Sequence, residues 1–217
     1  MGVSGGPDMI QDGLVLSLDA ADRNSYPGSG TVWRDLSRNN YAGSLVNSPT
    51  FSSTNGGNIT FNGTNQYTTT TYSQPAYGTS TSFTWNIWVN LPDSVNINSP
   101  IIGNRTANSS GNWTKLTKVA FEYYPTILAY VMPLNVWQNI CFVKNGTTLT
   151  YYQNGNSVAS TTSSVTQTSQ PFFIGGDNTA AEYFAGSIAN VQVYDRALSA
   201  TEISQNFNAT KSRFNLI

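Results

Sequence analysis

Residues 137–160 read WQNICFVKNGTTLTYYQNGNSVAS, and this stretch decides the fold class. Three strand-like segments are divided by two Asn-Gly pairs, Asn145-Gly146 and Asn154-Gly155. Asn-Gly readily takes the positive φ angles of two-residue hairpin turns, so the stretch predicts a three-stranded antiparallel meander. The same grammar of short alternating runs and Gly, Asn or Pro punctuation extends outward in both directions. GLVLSLDA (13–20) reads as a strand facing two layers, and NITFNGTNQYTTTTY (58–72) as strand, turn at Asn62-Gly63, strand. In TSFTWNIWVNL (81–91), Phe83, Trp85, Ile87 and Val89 share one face, which sends Trp88 to the other. PFFIGG (171–176) and EYFAGSIANVQVYDRAL (182–198) supply two more strands. No crossover helix interrupts this pattern before residue 195, which argues against parallel βαβ units.

One helix is legible. In LSATEISQNF (198–207), Ser199 as N-cap and Glu202 three residues on form a capping box. Leu198 and Ile203 supply the hydrophobic staple, and Ile203 and Phe207 share a face. The prediction is a short C-terminal helix at about 200–208, docked on the sheets because so short a helix is marginal alone. Every neighbour of Glu202 fits a cap, so it is read as structural and not catalytic.

Charged residues form 10% of the 217, against about 25% in typical domains. The net charge is −1 and the ten Lys and Arg are dispersed, which excludes the basic stripe that nucleic acid requires. No apolar run reaches the ~20 residues of a membrane span, so no membrane insertion is expected. The N-terminal MGVSGGPDMIQDGLVLSL lacks a basic region, so no signal peptide is expected. The lone cysteine, Cys141, falls in an alternating strand and reads as a buried thiol. Histidine is absent, which excludes Ser-His and Cys-His pairs and HExxH zinc chemistry. Only four lysines are present to guard sheet edges, so loops or neighbouring subunits must cover them.

The closing segment FAGSIANVQVYDRALSATEI (184–203) resembles the laminin-G-type, concanavalin A-like jelly-roll family. Further landmarks follow in family order: GLVLSLDA, VWRDLS, GGNITFNGTNQY, FTWNIWVNL, WQNICFVKNG, YYQNG and FFIGG. The resemblance implies an all-β, two-sheet antiparallel jelly-roll sandwich over residues 13–217, preceded by a flexible arm at 1–12. Residues 5–37 and the tail QNFNATKSRF (205–214) also resemble virion proteins of tailed, especially marine, bacteriophages.

Three chemistries bear on these residues. The wider family includes glucanases with two closely spaced carboxylates, but Glu122, Glu182 and Glu202 form no acid-x-acid cluster, so no enzyme is expected. A structural calcium is common in such sandwiches, which implies Asp35 and Asp177 as ligands. Where many relatives carry Asp, this chain has Asn62 and Ala189, so the expectation is no cofactor, with calcium as the alternative. For glycan binding, aromatic platforms beside amides single out Asn104, Asn108 and Trp113 in NRTANSSGNW (104–113), and Tyr72 and Tyr77 in TYSQPAYGTS (71–80).

Together these features predict a non-enzymatic virion structural protein on the particle surface, as head decoration or tail or fibre component. Its expected partners are other virion proteins, in a homo-oligomer or symmetric assembly, and a host surface glycan. A lectin-like module binding host polysaccharide is the alternative, and a glycan hydrolase a third, lesser one.

Overall fold

The computed structural model describes residues 8–105, 113–177 and 182–216. In chain order the strands are β1 (Leu14–Asp19), β2 (Val32–Arg34), β3 (Ala42–Val46), β4 (Thr50–Ser52), β5 (Asn58–Asn62), β6 (Tyr67–Gln74), β7 (Phe83–Asn90) and β8 (Ile102–Gly103). They continue with β9 (Thr114–Leu116), β10 (Ala120–Tyr123), β11 (Thr126–Ala129), β12 (Trp137–Asn145), β13 (Thr148–Gln153), β14 (Asn156–Thr162), β15 (Gln170–Ile174) and β16 (Ala185–Tyr194). The first sheet runs β14-β13-β12-β7-β16-β5-β4, with β1 also paired to β16. The second runs β11-β10-β9-β8-β15-β6-β3-β2. All pairings are antiparallel, as a jelly-roll sandwich requires.

The meander forms, with Asn154-Gly155 as one turn; in the other, Asn145 ends its strand and the loop is Gly146-Thr147. Asn145 pairs with Thr148 and Gln153 with Asn156, leaving two-residue loops, and Asn154 and Gly155 both have positive φ. Asn62-Gly63 is also a turn, but it carries the chain from β5 in the first sheet to β6 in the second. Asn62 Oδ1 accepts the backbone N–H groups of Thr64, Asn65 and Gln66, which stabilises this arch. Positive φ serves hairpin and arch alike, so the residue pair does not distinguish them.

Phe83, Trp85, Ile87 and Val89 of β7 are fully buried between the sheets. Trp88 points the other way, as alternation demands, and needs a second cover. Phe214 stacks on it at 4.0 Å between centroids, Phe207 at 5.8 Å, and its Nε1 donates to Thr210 Oγ1. The cover is α1 (Ala200–Thr210) and the 3-10 turn Lys211–Phe214 that follows. Ser199 and Glu202 form the predicted capping box, and Leu198 and Ile203 are buried in one apolar cluster with Cys141, Val143 and Tyr194. Burial raises the Cys141 thiol pKa, so it stays protonated and inert. The helix runs two residues past the expected end because contacts with Trp88 outweigh the weak helix propensity of Asn and Thr.

Residues 8–12 of the expected free arm are tied to this clasp. Ile10 N–H donates to Asn206 Oδ1, Tyr194 Oη donates to the Ile10 carbonyl, and Asp12 pairs with Arg196 at 2.8 Å. These contacts join the arm to Tyr194 of β16, Arg196 beyond it and Asn206 of the helix, and they leave no periodic trace. Residues 1–7 lie outside the described residues.

Arg196 hydrogen-bonds Glu202, and with the Ser199 N–H it holds the Glu202 carboxyl at about 2, below its ordinary 4.5. A depressed pKa adds stability that is complete above about pH 4.5 and is lost as pH falls towards 2. Glu202→Gln is therefore expected to lower stability by about 1 kcal/mol at neutral pH. Urea melts of both proteins should converge as pH approaches 2.

Candidate functional site

With α1 on the outer face of the first sheet, the outer face of the second is where side chains of opposite charge gather. Leu116 of β9 and Phe121 of β10 are cross-strand partners facing the core, so their neighbours Lys115 and Glu122 face outward and oppose each other. Gly103 on β8 makes room for this: a Cβ there would lie 2.8 Å from the Cβ of Lys115. Lys115 Nζ is 3.0 Å from Glu182 Oε2 and 3.6 Å from Glu122 Oε1, and it donates to the Asn98 carbonyl. Arg105 donates to the same Glu182 oxygen at 2.8 Å and lies 4.0 Å from Asp177.

An aromatic pair closes the circuit. Trp113 donates its Nε1–H to Glu122 Oε2 at 3.1 Å, and its ring stacks on Tyr124 at 4.0 Å and 18°. The Arg105 guanidinium lies 5.0 Å from the Trp113 centroid. Tyr124 occupies one face of the indole, so Arg105 takes the other. Contacts thus run from Arg105 through Glu182, Lys115, Glu122 and Trp113 back to Arg105. Gln167 Nε2 donates to the carbonyls of Trp113 and Tyr124, and Tyr124 N–H to that of Trp113, which fixes the aromatic pair to the sheet.

Of the predicted glycan residues, Trp113 is in this cluster. Asn104 is fully buried and structural: its Oδ1 accepts the Thr114 N–H, and its own N–H donates to the Thr114 carbonyl. Asn108 lies outside the described residues. Tyr72 and Tyr77, expected at a sugar site, are instead core residues. Tyr72 packs edge-on against Tyr41 and Phe172, and Tyr77 stacks on Phe83 at 4.5 Å. The buried Lys144 causes the second burial. Its Nζ donates to the carbonyls of Gly78, Thr81 and Gly146, drawing the loop around Tyr77 down onto the core.

The expected calcium ligands do not fit the ion. Asp35 Oδ1 accepts from the N–H groups of Ser17 and Ser37, and Oδ2 from Ser37 Oγ and the Tyr41 N–H. Donors pointing at both oxygens repel a cation, and Asp177 instead faces Arg105. Calcium takes about six to eight oxygen ligands. Among the described residues, no group of three acidic or cysteine side chains converges to hold a metal.

Sequence spacing missed Arg105, Lys115, Glu122, Tyr124 and Glu182 as a group. It kept Glu122 and Glu182 apart, yet both meet Lys115. Their nearest oxygens lie within 6.6 Å of each other, the sum of the two distances to Nζ. The one available signal was the crowding of scarce charge around Trp113, with Arg105, Lys115 and Glu122 in a chain of only 21 charged residues.

Residues 62–204 match the family model described as the concanavalin A-like lectin/glucanases superfamily. The chain belongs to this superfamily. Among curated proteins none matches its sequence. Its fold is shared with domain 4 of AbnA, a GH43 extracellular arabinanase from Geobacillus stearothermophilus in complex with arabinotriose. That likeness has a TM-score of 0.69 at 15% identity, covering 92% of this chain and 100% of that domain. A structure of botulinum neurotoxin type C, whose cell entry depends on interaction with two ganglioside molecules, matches with TM-score 0.67 at 14% identity. The match covers 91% of this chain and about half, 51%, of the toxin chain. A Trypanosoma rangeli sialidase in complex with 2,3-difluorosialic acid matches at 17% identity and TM-score 0.66, over 96% of this chain but 35% of that one. Within the superfamily fold, the cluster stands on the sheet face opposite the clasped one.

Lys115 is the hub, with a side chain 4% exposed. Lys115→Met leaves two carboxylates facing each other without their cation and is expected to cost about 3 kcal/mol. Urea denaturation should show a smaller loss in the Lys115→Met, Glu182→Gln double variant, which removes one of the two opposed charges.

Proposed function

We propose that the chain is a non-catalytic glycan-binding module whose sugar docks on the second-sheet face around Arg105, Trp113, Glu122, Tyr124 and Glu182. The observation that carries this reading is the closed circuit of carboxylates, cations and stacked rings. Sugars present apolar C–H faces to rings and hydroxyls to carboxylates and guanidinium groups. One ring face of Tyr124 meets Trp113, and no other ring contact covers its second face among the described residues. Two solved structures with this fold bind or depend on glycans, arabinotriose in one and gangliosides in the other, which supports the ligand class.

The same geometry argues against hydrolysis. A glycosidase needs the gap between its two carboxylates open for the scissile bond and, in inverting enzymes, for a water. Here the ammonium of Lys115 fills that gap.

A second reading, display on a bacteriophage particle within a symmetric assembly, is supported by the sequence resemblance and by one surface feature. Edge strands β11 and β14 expose Ile127 and Val158, and neither strand carries a lysine to block pairing with another copy. A decoration or fibre protein that also adheres to glycans satisfies both readings. Light scattering at increasing protein concentration tests the assembly, and a monomer throughout would contradict it.

A glycan array probed with the purified chain tests the first reading, and an array without signal would overturn it. Tyr124→Ala is expected to weaken binding of the best array ligand at least tenfold, ~1.4 kcal/mol, with the far-ultraviolet spectrum unchanged.

A further inference from the structure

We infer that this face selects uncharged glycans over carboxylate-bearing ones, with Glu182 as the residue that sets the preference. The inference rests on the glycan-binding reading above.

Five charged side chains build the cluster: Arg105 and Lys115 against Glu122, Asp177 and Glu182. The balance is one negative charge. Residues 106–112 (TANSSGN) and 178–181 (NTAA) adjoin the cluster in sequence and contain no charged residue, so they do not alter it.

Both cations are already paired, although the Arg105 side chain stays 25% exposed. Lys115 is covered, and its ammonium is shared between Glu182, Glu122 and the Asn98 carbonyl. Arg105 is engaged by Glu182 and lies over the Trp113 ring. A sialic or uronic carboxylate arriving here would face the partly exposed Glu122 and Glu182 and would have to compete with them for Arg105 and Lys115. Displacing an internal ion pair is the cost of its entry, and such repulsion is how a site rejects a competing ligand.

A hydroxyl group meets the opposite situation. An ionised carboxylate has about four acceptor positions. Arg105 and Lys115 both use Oε2 of Glu182, and no described residue donates to Oε1. Among the described residues that oxygen is an acceptor in reserve for a sugar hydroxyl, which neutral glycans offer in abundance.

The test is titration against matched pairs differing by one carboxylate, such as lactose with 3′-sialyllactose and xylotriose with its glucuronosylated form, chosen within whichever series binds on the array. The uncharged member is expected to bind at least tenfold more tightly at low ionic strength. The ratio should narrow near 1 M salt, where the screening length falls to about 3 Å. Glu182→Gln should weaken the uncharged ligand and narrow the ratio, with Glu122→Gln as the substitute if circular dichroism shows the first variant unfolded. Equal or tighter binding of the carboxylate-bearing members would overturn the inference and leave the glycan reading standing. Absence of binding by every pair would overturn both.

Discussion

The constraint on which this structure depends is that β7 is buried on both faces. Four of its side chains fill the space between the sheets, and Trp88 on the reverse side is equally buried. The first sheet therefore cannot leave its outer surface to water. The capped helix, Phe214 and the main chain around Ile10 are recruited to close it. Covering one sheet leaves the outer face of the other to carry chemistry, and there the chain places a quarter of its few charged side chains around one lysine.

A low-charge chain must satisfy its interior polar groups by other means, and here amides do so. Asn86 donates to Gln192 and accepts from Asn139, all three buried beneath the clasp between two apolar clusters. Asn139 N–H also donates to Asn154 Oδ1 of the hairpin turn. These bonds form in one register of β7, β12 and β16, with Asn139 Oδ1 left without a partner among the described residues, so they favour that pairing over a slipped one. Lys144 performs a comparable task with three carbonyls, and its pKa is lowered by burial.

What was legible in the sequence is what local physics fixes. The meander follows from two Asn-Gly pairs, the helix start from Ser199 and Glu202, and the direction of Trp88 from alternation alone. The cluster was not legible because its members are joined only in space. Arg105 and Glu182 are 77 residues apart, and Lys115 and Glu182 are 67 apart. Aromatic residues mislead for a related reason: a tyrosine in a Gly- and Pro-flanked loop looks exposed, but Lys144 pulls Tyr77 inward. Asp35 ties the chain after β2, and its four donors leave no room for the calcium that the family resemblance implied.

The central claim is that sugar meets this chain at the Lys115 circuit and not at the clasp. The most direct measurement is nuclear magnetic resonance of the five indole N–H signals during titration with the tightest-binding oligosaccharide. The account predicts a saturable shift of the Trp113 signal, whose proton is shared with Glu122, with Trp33, Trp85 and Trp88 unmoved. A saturable shift of Trp88 or Trp137 beside the helix, with Trp113 unchanged, would contradict it.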